Sequence, residues 1–144
     1  MDVRVVDDAA GIAECLRLRA EVFINEQNVS EAEERDGLDD RCVHFLAVDE
    51  NGPIGAARLN MLHTDYAKIQ RVCVIKSARG TGAGAQIIRT MIDTVRAEGL
   101  RDVIRLGAQT HALTFYEKLG FVAFGEEYLD AGIAHFDMEM TLTH

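Results

Sequence analysis

Apolar and polar positions change period several times along the chain, and each change marks an element. Residues 3–6 form a short apolar run that predicts a first strand. Ile12, Cys15, Leu16, Ala20 and Phe23 recur at near-helical spacing, which predicts a helix over 9–24. Residues 43–49 and 53–60 are two strand-like apolar runs separated by Glu50-Asn51-Gly52. Asn-Gly there predicts a hairpin, because both residues tolerate positive φ. Residues 68–76 are a third run, rich in β-branched side chains. Ile87, Ile88, Met91, Ile92 and Val95 lie on one face of a helix with Arg89, Asp93 and Arg96 opposite, and Gly99 caps its end. Residues 102–108 read as a buried strand, 110–119 as a short helix closed by Gly120, and 121–124 as strand-like. At the end Phe136, Met138, Met140 and Leu142 alternate with Asp137, Glu139 and Thr141, the signature of a half-buried strand.

The resulting order is β-α-β-β-β-α-β-α-β-β. Three strands joined by short turns predict an antiparallel half, and the following β-α-β stretch predicts a parallel crossover. The fold class is α/β, or α+β: a mixed, mostly antiparallel sheet flanked by helices. With 144 residues and no linker or internal repeat, residues 1–144 read as a single domain.

Charge narrows the function classes. Twenty-four acidic residues against 15 basic ones give a net charge of -9, which excludes the basic footprint of a nucleic-acid binder. Residues 31–40 hold Glu31, Glu33, Glu34, Asp36, Asp39 and Asp40, read as a solvated loop or a short helix start. Cys15, Cys42 and Cys73 are odd in number and widely spaced, and no two histidines stand at metal-binding spacing, so no metal is expected. No apolar run is long enough to cross a membrane. Met1-Asp2-Val3-Arg4 does not open a signal peptide, so the expected home is the cytoplasm.

The most informative segment runs from Arg71 to Gly84: a strand, a turn with Gly80, Gly82 and Gly84, then a helix. Glycines at such a turn let backbone N–H groups converge, and the helix N-terminus adds partial positive charge, so the turn suits a pyrophosphate. The spacing is wrong for a dinucleotide fingerprint or a Walker A loop. Arg79, Gly82 and Gly84 match the Arg/Gln-x-x-Gly-x-Gly/Ala turn of acyl-CoA-binding N-acetyltransferases. Phe115-Tyr116-Glu117-Lys118-Leu119-Gly120-Phe121 is similar to the same proteins' FYxxxGF segment. On these motifs the chain resembles the GNAT superfamily over essentially its whole length, with Lys76 where proline often follows the strand. Leu18-Arg19, Val22-Phe23, Glu26-Gln27-Asn28-Val29, the acids Glu34, Asp36 and Asp39, Gln109 and Gly132-Ile133-Ala134-His135 resemble the ElaA-like group within it.

The resemblance implies acetyl transfer from acetyl-CoA to a primary amine of a small molecule or peptide. It places the backbone of Val72, Cys73 and Val74 along the pantetheine, and Arg79, Gly80, Thr81, Gly82, Ala83 and Gly84 around the pyrophosphate. It places Tyr116 at the sulfur as the acid that protonates the thiolate; the alternative is a buried aromatic anchor. The amine needs a base, for which His135 is the first candidate and Glu26 acting through water the second. His135 could equally cap a strand. Arg19, Arg71 and Gln109 are expected on the acceptor side, where two arginines would suit an amine that also bears a carboxylate; salt bridges to the 31–40 acids are the alternative. A homodimer is compatible with the resemblance, and a non-catalytic acyl-CoA sensor is the competing function.

Overall fold

The computed structural model describes residues 1–143; His144, the last of the five histidines, lies outside the described residues. Seven strands form one sheet: β1 (Asp2–Val6), β2 (Val43–Asp49), β3 (Gly52–Asn60), β4 (Ala67–Val74), β5 (Val103–Gln109), β6 (Val122–Asp130) and β7 (Ile133–Thr141). Their spatial order is β1-β2-β3-β4-β5-β7-β6. Every neighbouring pair is antiparallel except β4 and β5. The fold is therefore the mixed, mostly antiparallel sheet that the element order predicts.

The β2–β3 hairpin forms, but only Gly52 of its turn takes positive φ, at +113°. Asn51 does not, so the turn is not the mirror-image type in which both central residues do. β6 extends to Asp130, well past the expected 121–124, through an irregularity between Phe124 and Tyr128 with Gly125 at φ +76°. All of its residues are exposed, and no apolar alternation marks its second half.

Helices cover the sheet unequally. α3 (Ala83–Glu98) buries Ile87, Ile88, Met91, Ile92 and Val95 against Phe45, Leu59, Ile69, Ile104 and Leu106. Each such side chain contributes about 1.5–3 kcal/mol of transfer free energy. α1 (Ala9–Arg19) lies on the opposite face, where Cys15 and Leu18 meet Leu46, Ala56 and Cys73. It packs on β2, β3 and β4. The same face of β5, β7 and β6 is left open, with Gly107 and Tyr128 exposed on it. α2 (Glu31–Glu34) is a single turn and α4 (Leu113–Lys118) is under two turns, both beside these layers.

α1 does not stop at Arg19. The chain winds on as a π-helical segment, Ala20–Glu26, ending where Gln27 N–H donates to Val22 at 3.1 Å. This wider turn swings Phe23, Glu26 and Gln27 over the edge of β4.

The 31–40 run begins as the short helix α2, and Glu31, Glu33 and Asp40 are exposed, but its other three acids turn to arginines. Glu34 and Arg19 are each 1% exposed and pair at 2.5 Å. Asp39 Oδ1 accepts from Arg19 at 2.7 Å and from Arg58 at 2.9 Å, and Asp36 accepts from Arg58. Three acids thus fold inward onto arginines supplied by α1 and β3, and lock the loop to the sheet.

A cleft where two parallel strands part

β4 pairs with β5 only along Ala67–Ile69 against Ile104–Leu106. β5 stays paired with β7 as far as Gln109 opposite His135. The two central strands therefore diverge beyond Ile69, and β4 is the one that turns away. Its turn coincides with a register shift against β3, where Arg71 sits at φ +58°. A non-glycine residue held in the left-handed region is a local strain imposed by its surroundings. Those surroundings are visible: the Arg71 guanidinium donates to the carbonyls of Glu33 and Glu34 at 3.1–3.3 Å.

The parting opens the sheet through its thickness and creates a cleft of about 490 Å³. Its walls are β4 from Lys68 to Val74, the far end of β5, Tyr116 from the α4 side, and Tyr128 and His135 from the open face. The π-helical segment roofs it with Phe23, Glu26 and Gln27.

β4 offers this cleft a free edge. Ile75 N–H donates to Ile54 on β3 at 2.9 Å. Alternation along an extended strand then turns the amides of Val72 and Val74 the other way, toward the wedge. The Val74 carbonyl faces that way too, since Arg79 Nε donates to it at 3.0 Å. The Cys73 side chain points away and lies 3% exposed against Cys15 and Leu18, where burial pushes its thiol up to about 12.

The glycine turn continues from this edge. Gly80 and Gly82 have φ of +79° and +87°, and a Cβ on either would meet nothing within 4 Å. Their space is open, so it is backbone conformation that excludes other residues there. Gly84 differs: it is helical, and a Cβ would lie 3.3 Å from Phe115. Ala83 is buried, and the hydroxyl of Thr81 donates to the Ala78 carbonyl at 2.6 Å. Of the turn, only Arg79 lines the cleft itself; residues 80–84 form its outer lip, where the first amides of α3 lack intrahelical acceptors.

The arginines do not stand where a carboxylate-bearing acceptor would need them. Arg19 is buried beneath the roof, spent on Glu34 and Asp39, and does not line the cleft. Arg71 lines it, but its guanidinium is turned onto the Glu33 and Glu34 carbonyls. Of the two roles the sequence leaves open for these arginines, the structure shows salt bridges to the 31–40 acids: Arg19 is held by buried carboxylates, and Arg71 by main-chain carbonyls of the same loop with Glu34 and Asp36 at 3.6 and 3.5 Å. Glu26 lines the cleft and holds Arg79 through both oxygens, at 2.6 and 2.7 Å. That hydrogen bond keeps its carboxyl below the usual glutamate range. Gln109 donates to Gln27 at 2.9 Å and accepts from His111 at 2.7 Å.

Tyr116 packs edge-on against Phe121, with ring centroids 6.0 Å apart. Its hydroxyl has no hydrogen-bond partner among the described residues, and burial pushes the phenol up to about 12. His135 is 9% exposed, and its Nδ1 lies 2.6 Å from the Ile133 carbonyl. A carbonyl only accepts, so Nδ1 carries the hydrogen and Nε2 of the neutral ring keeps its lone pair.

Tyr128 and Asp137 complete this corner, and no motif in the sequence singled them out. Tyr128 stacks on His135, with centroids 5.8 Å apart and planes at 22°, and its hydroxyl donates to Asp137 at 2.7 Å. Gly107 makes room: a Cβ there would stand 2.6 Å from the Tyr128 hydroxyl. The alternation of β7 could have put His135 and Asp137 on one face, but Tyr128 sits beyond an irregularity that the sequence does not announce.

Comparison with known proteins agrees with this architecture. The family model described as an acetyltransferase (GNAT) domain matches residues 7–142. The uncharacterized N-acetyltransferase YjcF of Bacillus subtilis is 42% identical over 122 residues, covering 84% of this chain and 86% of that protein. ElaA of Escherichia coli is 31% identical over 126 residues, covering 85% of this chain and 82% of ElaA. The ElaA crystal structure superposes with a TM-score of 0.84 over 96% of this chain and 98% of its own. The same fold, at a TM-score of 0.77 and 16% identity over 100% and 98% of the two chains, occurs in an aminoglycoside 6'-N-acetyltransferase crystallised with coenzyme A. The chain therefore belongs to the GNAT family of acetyltransferases.

Proposed function

We propose that this protein transfers an acetyl group from acetyl-CoA to the primary amine of a small molecule or peptide. The observation that carries the reading is the parted β4–β5 pair, which gathers a free strand edge, Tyr116 and His135 around one cleft. The Val72 amide, and the lone pair of the Val74 carbonyl that Arg79 leaves free, suit the donors and acceptors of a pantetheine arm laid alongside as an extra strand. The open turn at Gly80 and Gly82, followed by the N-terminus of α3, suits its pyrophosphate.

In the reaction the amine nitrogen attacks the thioester carbonyl, a C–N bond forms and the C–S bond breaks. His135 takes the proton that the attacking nitrogen must lose, at Nε2. The Val74 amide stabilises the negative charge on the carbonyl oxygen. Thiols ordinarily titrate at about 8.5, well below the Tyr116 phenol, which burial pushes up to about 12. Full proton transfer from Tyr116 to the thiolate is therefore uphill. Its hydroxyl serves as a hydrogen-bond donor to the sulfur as charge develops there, and the thiol's proton comes ultimately from the amine.

The test is thiol release from acetyl-CoA with a panel of amines. Tyr116→Phe should lower kcat by about 10²-fold, the size expected for losing one donor to developing charge, with the acetyl-CoA dissociation constant unchanged. His135→Gln should lower kcat in the same way. Binding of acetyl-CoA without turnover of any amine would leave the sensor reading in place.

A further inference from the structure

A second cavity, of about 120 Å³, adjoins the main cleft on the open face and shares Lys68 and Leu106 with it. Its other walls are Tyr66, Arg105, Phe124 and Asp137. In register, Lys68 on β4 stands beside Arg105 on β5, and Arg105 opposite Glu139 on β7. These side chains share a face with Gln109 and His135, which pair four residues further along β5.

Two cations meet here. Lys68 is half-buried and has no hydrogen-bond or ion-pair partner among the described residues. The Arg105 guanidinium is braced between two rings, 4.6 Å from the Tyr66 centroid and 5.6 Å from that of Phe124. Its Nε donates to Glu139 at 3.2 Å, while its two terminal nitrogens donate to nothing among the described residues. The two carboxylates on the same patch are already engaged, Glu139 by that bond and Asp137 by the Tyr128 hydroxyl. Arg71 and Arg79, the other strong cations of the main cleft, are likewise spent. What remains unspent is a pair of donors on an aromatic-walled recess, at one end of a groove whose other end is His135.

We propose that Lys68 and Arg105 form a subsite for an anionic group, so that the acceptor is an amine carrying a carboxylate or similar anion at its far end. This rests on the acetyl-transfer reading for the amine end only. The groove between the two ends spans four residues of β5, about 13 Å at ~3.3 Å per residue, and the side chains reaching in from both ends shorten it. The acceptor is thus a zwitterion with several methylenes between its charges. Asp130 and His135 both line the cleft, where the ammonium enters, and at the other end the free donors of Lys68 and Arg105 stand beside Asp137 and Glu139, which already accept from the Tyr128 hydroxyl and Arg105 Nε.

The probes are ω-amino acids from β-alanine to aminohexanoate, each against the alkylamine of equal length. The longer amino acids should exceed their alkylamine partners in kcat/KM by about tenfold, as for one charge-assisted contact. Lys68→Met should collapse that ratio through KM, with the acetyl-CoA dissociation constant unchanged, and Lys68→Glu should turn the preference toward diamines. A ratio near one in the parent protein, or one that survives Lys68→Met, overturns the subsite. If neither series is acetylated, calorimetry with aminohexanoate and the coenzyme A-loaded protein decides. Binding that Lys68→Met abolishes upholds the subsite and counts against acetyl transfer to this class of amine, whereas no binding sinks the subsite.

Discussion

The two halves of the sheet use the same kinds of residue to opposite ends. Across β2 to β4, α1 covers one face and α3 the other. Charges caught there are consumed internally: Arg19 and Arg58 are at most 1% exposed, and their partners are Glu34, Asp36 and Asp39. Across β5, β7 and β6 one face has no helix, and its charges line cavities instead of a core. A buried guanidinium needs a carboxylate to offset its lost hydration, so it is unavailable to a ligand. A half-buried one on an open face keeps donors to spare. Position relative to the helices, rather than residue type, decides which arginine belongs to the fold and which to a site.

The largest effect that would test this contrast is on stability. Glu34→Gln keeps the shape and removes the charge that Arg19 faces at 2.5 Å. Leaving a buried cation short of its partner should cost about 3–5 kcal/mol. The melting temperature should then fall by about 10 °C or more for a chain of this size. On the open half, Glu127→Gln disturbs only an exposed bond to Thr110 and should change stability by less than about 0.5 kcal/mol. Equal losses would erase the distinction between the halves. The cluster also carries a pH signature. The Arg58 hydrogen bond holds Asp36 well below the usual carboxylate range, against the opposing pull of burial. A group whose folded value lies below its unfolded one stabilises the fold at every pH above the unfolded value. For aspartate that value is about 3.9, so the stabilisation is kept down to roughly pH 4 and withdrawn below it.

Next in size is the corner around His135. A Cβ on Gly107 would stand 2.6 Å from the Tyr128 hydroxyl, so Gly107→Ala must push the ring that stacks on His135. We expect kcat to fall by about tenfold, the acetyl-CoA dissociation constant to hold, and the melting temperature to move little, because Gly107 is exposed. Tyr128→Phe removes the atom in the way, so the alanine should cost much less in that background than in the parent. Additive losses in the double variant would show that the Gly107 effect does not run through Tyr128.

Much of this was legible in the sequence, and what was not has a common cause. Element order, the α3 face and its Gly99 cap follow from local periodicity, and the glycine turn and Tyr116 follow from motifs. The inward turn of Glu34, Asp36 and Asp39 was hidden because nothing separates them from the three solvated acids of 31–40 until Arg19, Arg58 and Arg71, distant in sequence, are brought against them. For the same reason the sequence left Arg19 and Arg71 open between ligand binding and salt bridges to these acids. Tyr128, Asp137, Lys68 and Arg105 gain meaning only through pairing across β4, β5, β7 and β6, which no local window contains.

The smallest effect concerns the mouth of the cleft. Glu26, from the roof, grips Arg79 through both oxygens, and Arg79 Nε occupies the Val74 carbonyl on the free edge of β4. Side chains of this pair are 40% and 38% exposed, so the bond is screened and easily exchanged. A carboxylate here occupies the guanidinium that a pyrophosphate arriving at the neighbouring turn would also seek. Glu26→Gln should therefore tighten acetyl-CoA binding by a few-fold, and the gain should shrink as salt is added. Arg79 keeps the Glu26 carboxyl below its usual range, so the parent is ionised at neutrality and the difference should not vary with pH around it. Weaker binding in the variant, measured by calorimetry at low and high salt, would show that Glu26 holds Arg79 in place for the pyrophosphate instead of competing with it. The roof would then belong with the clamped half of the molecule, not the open one.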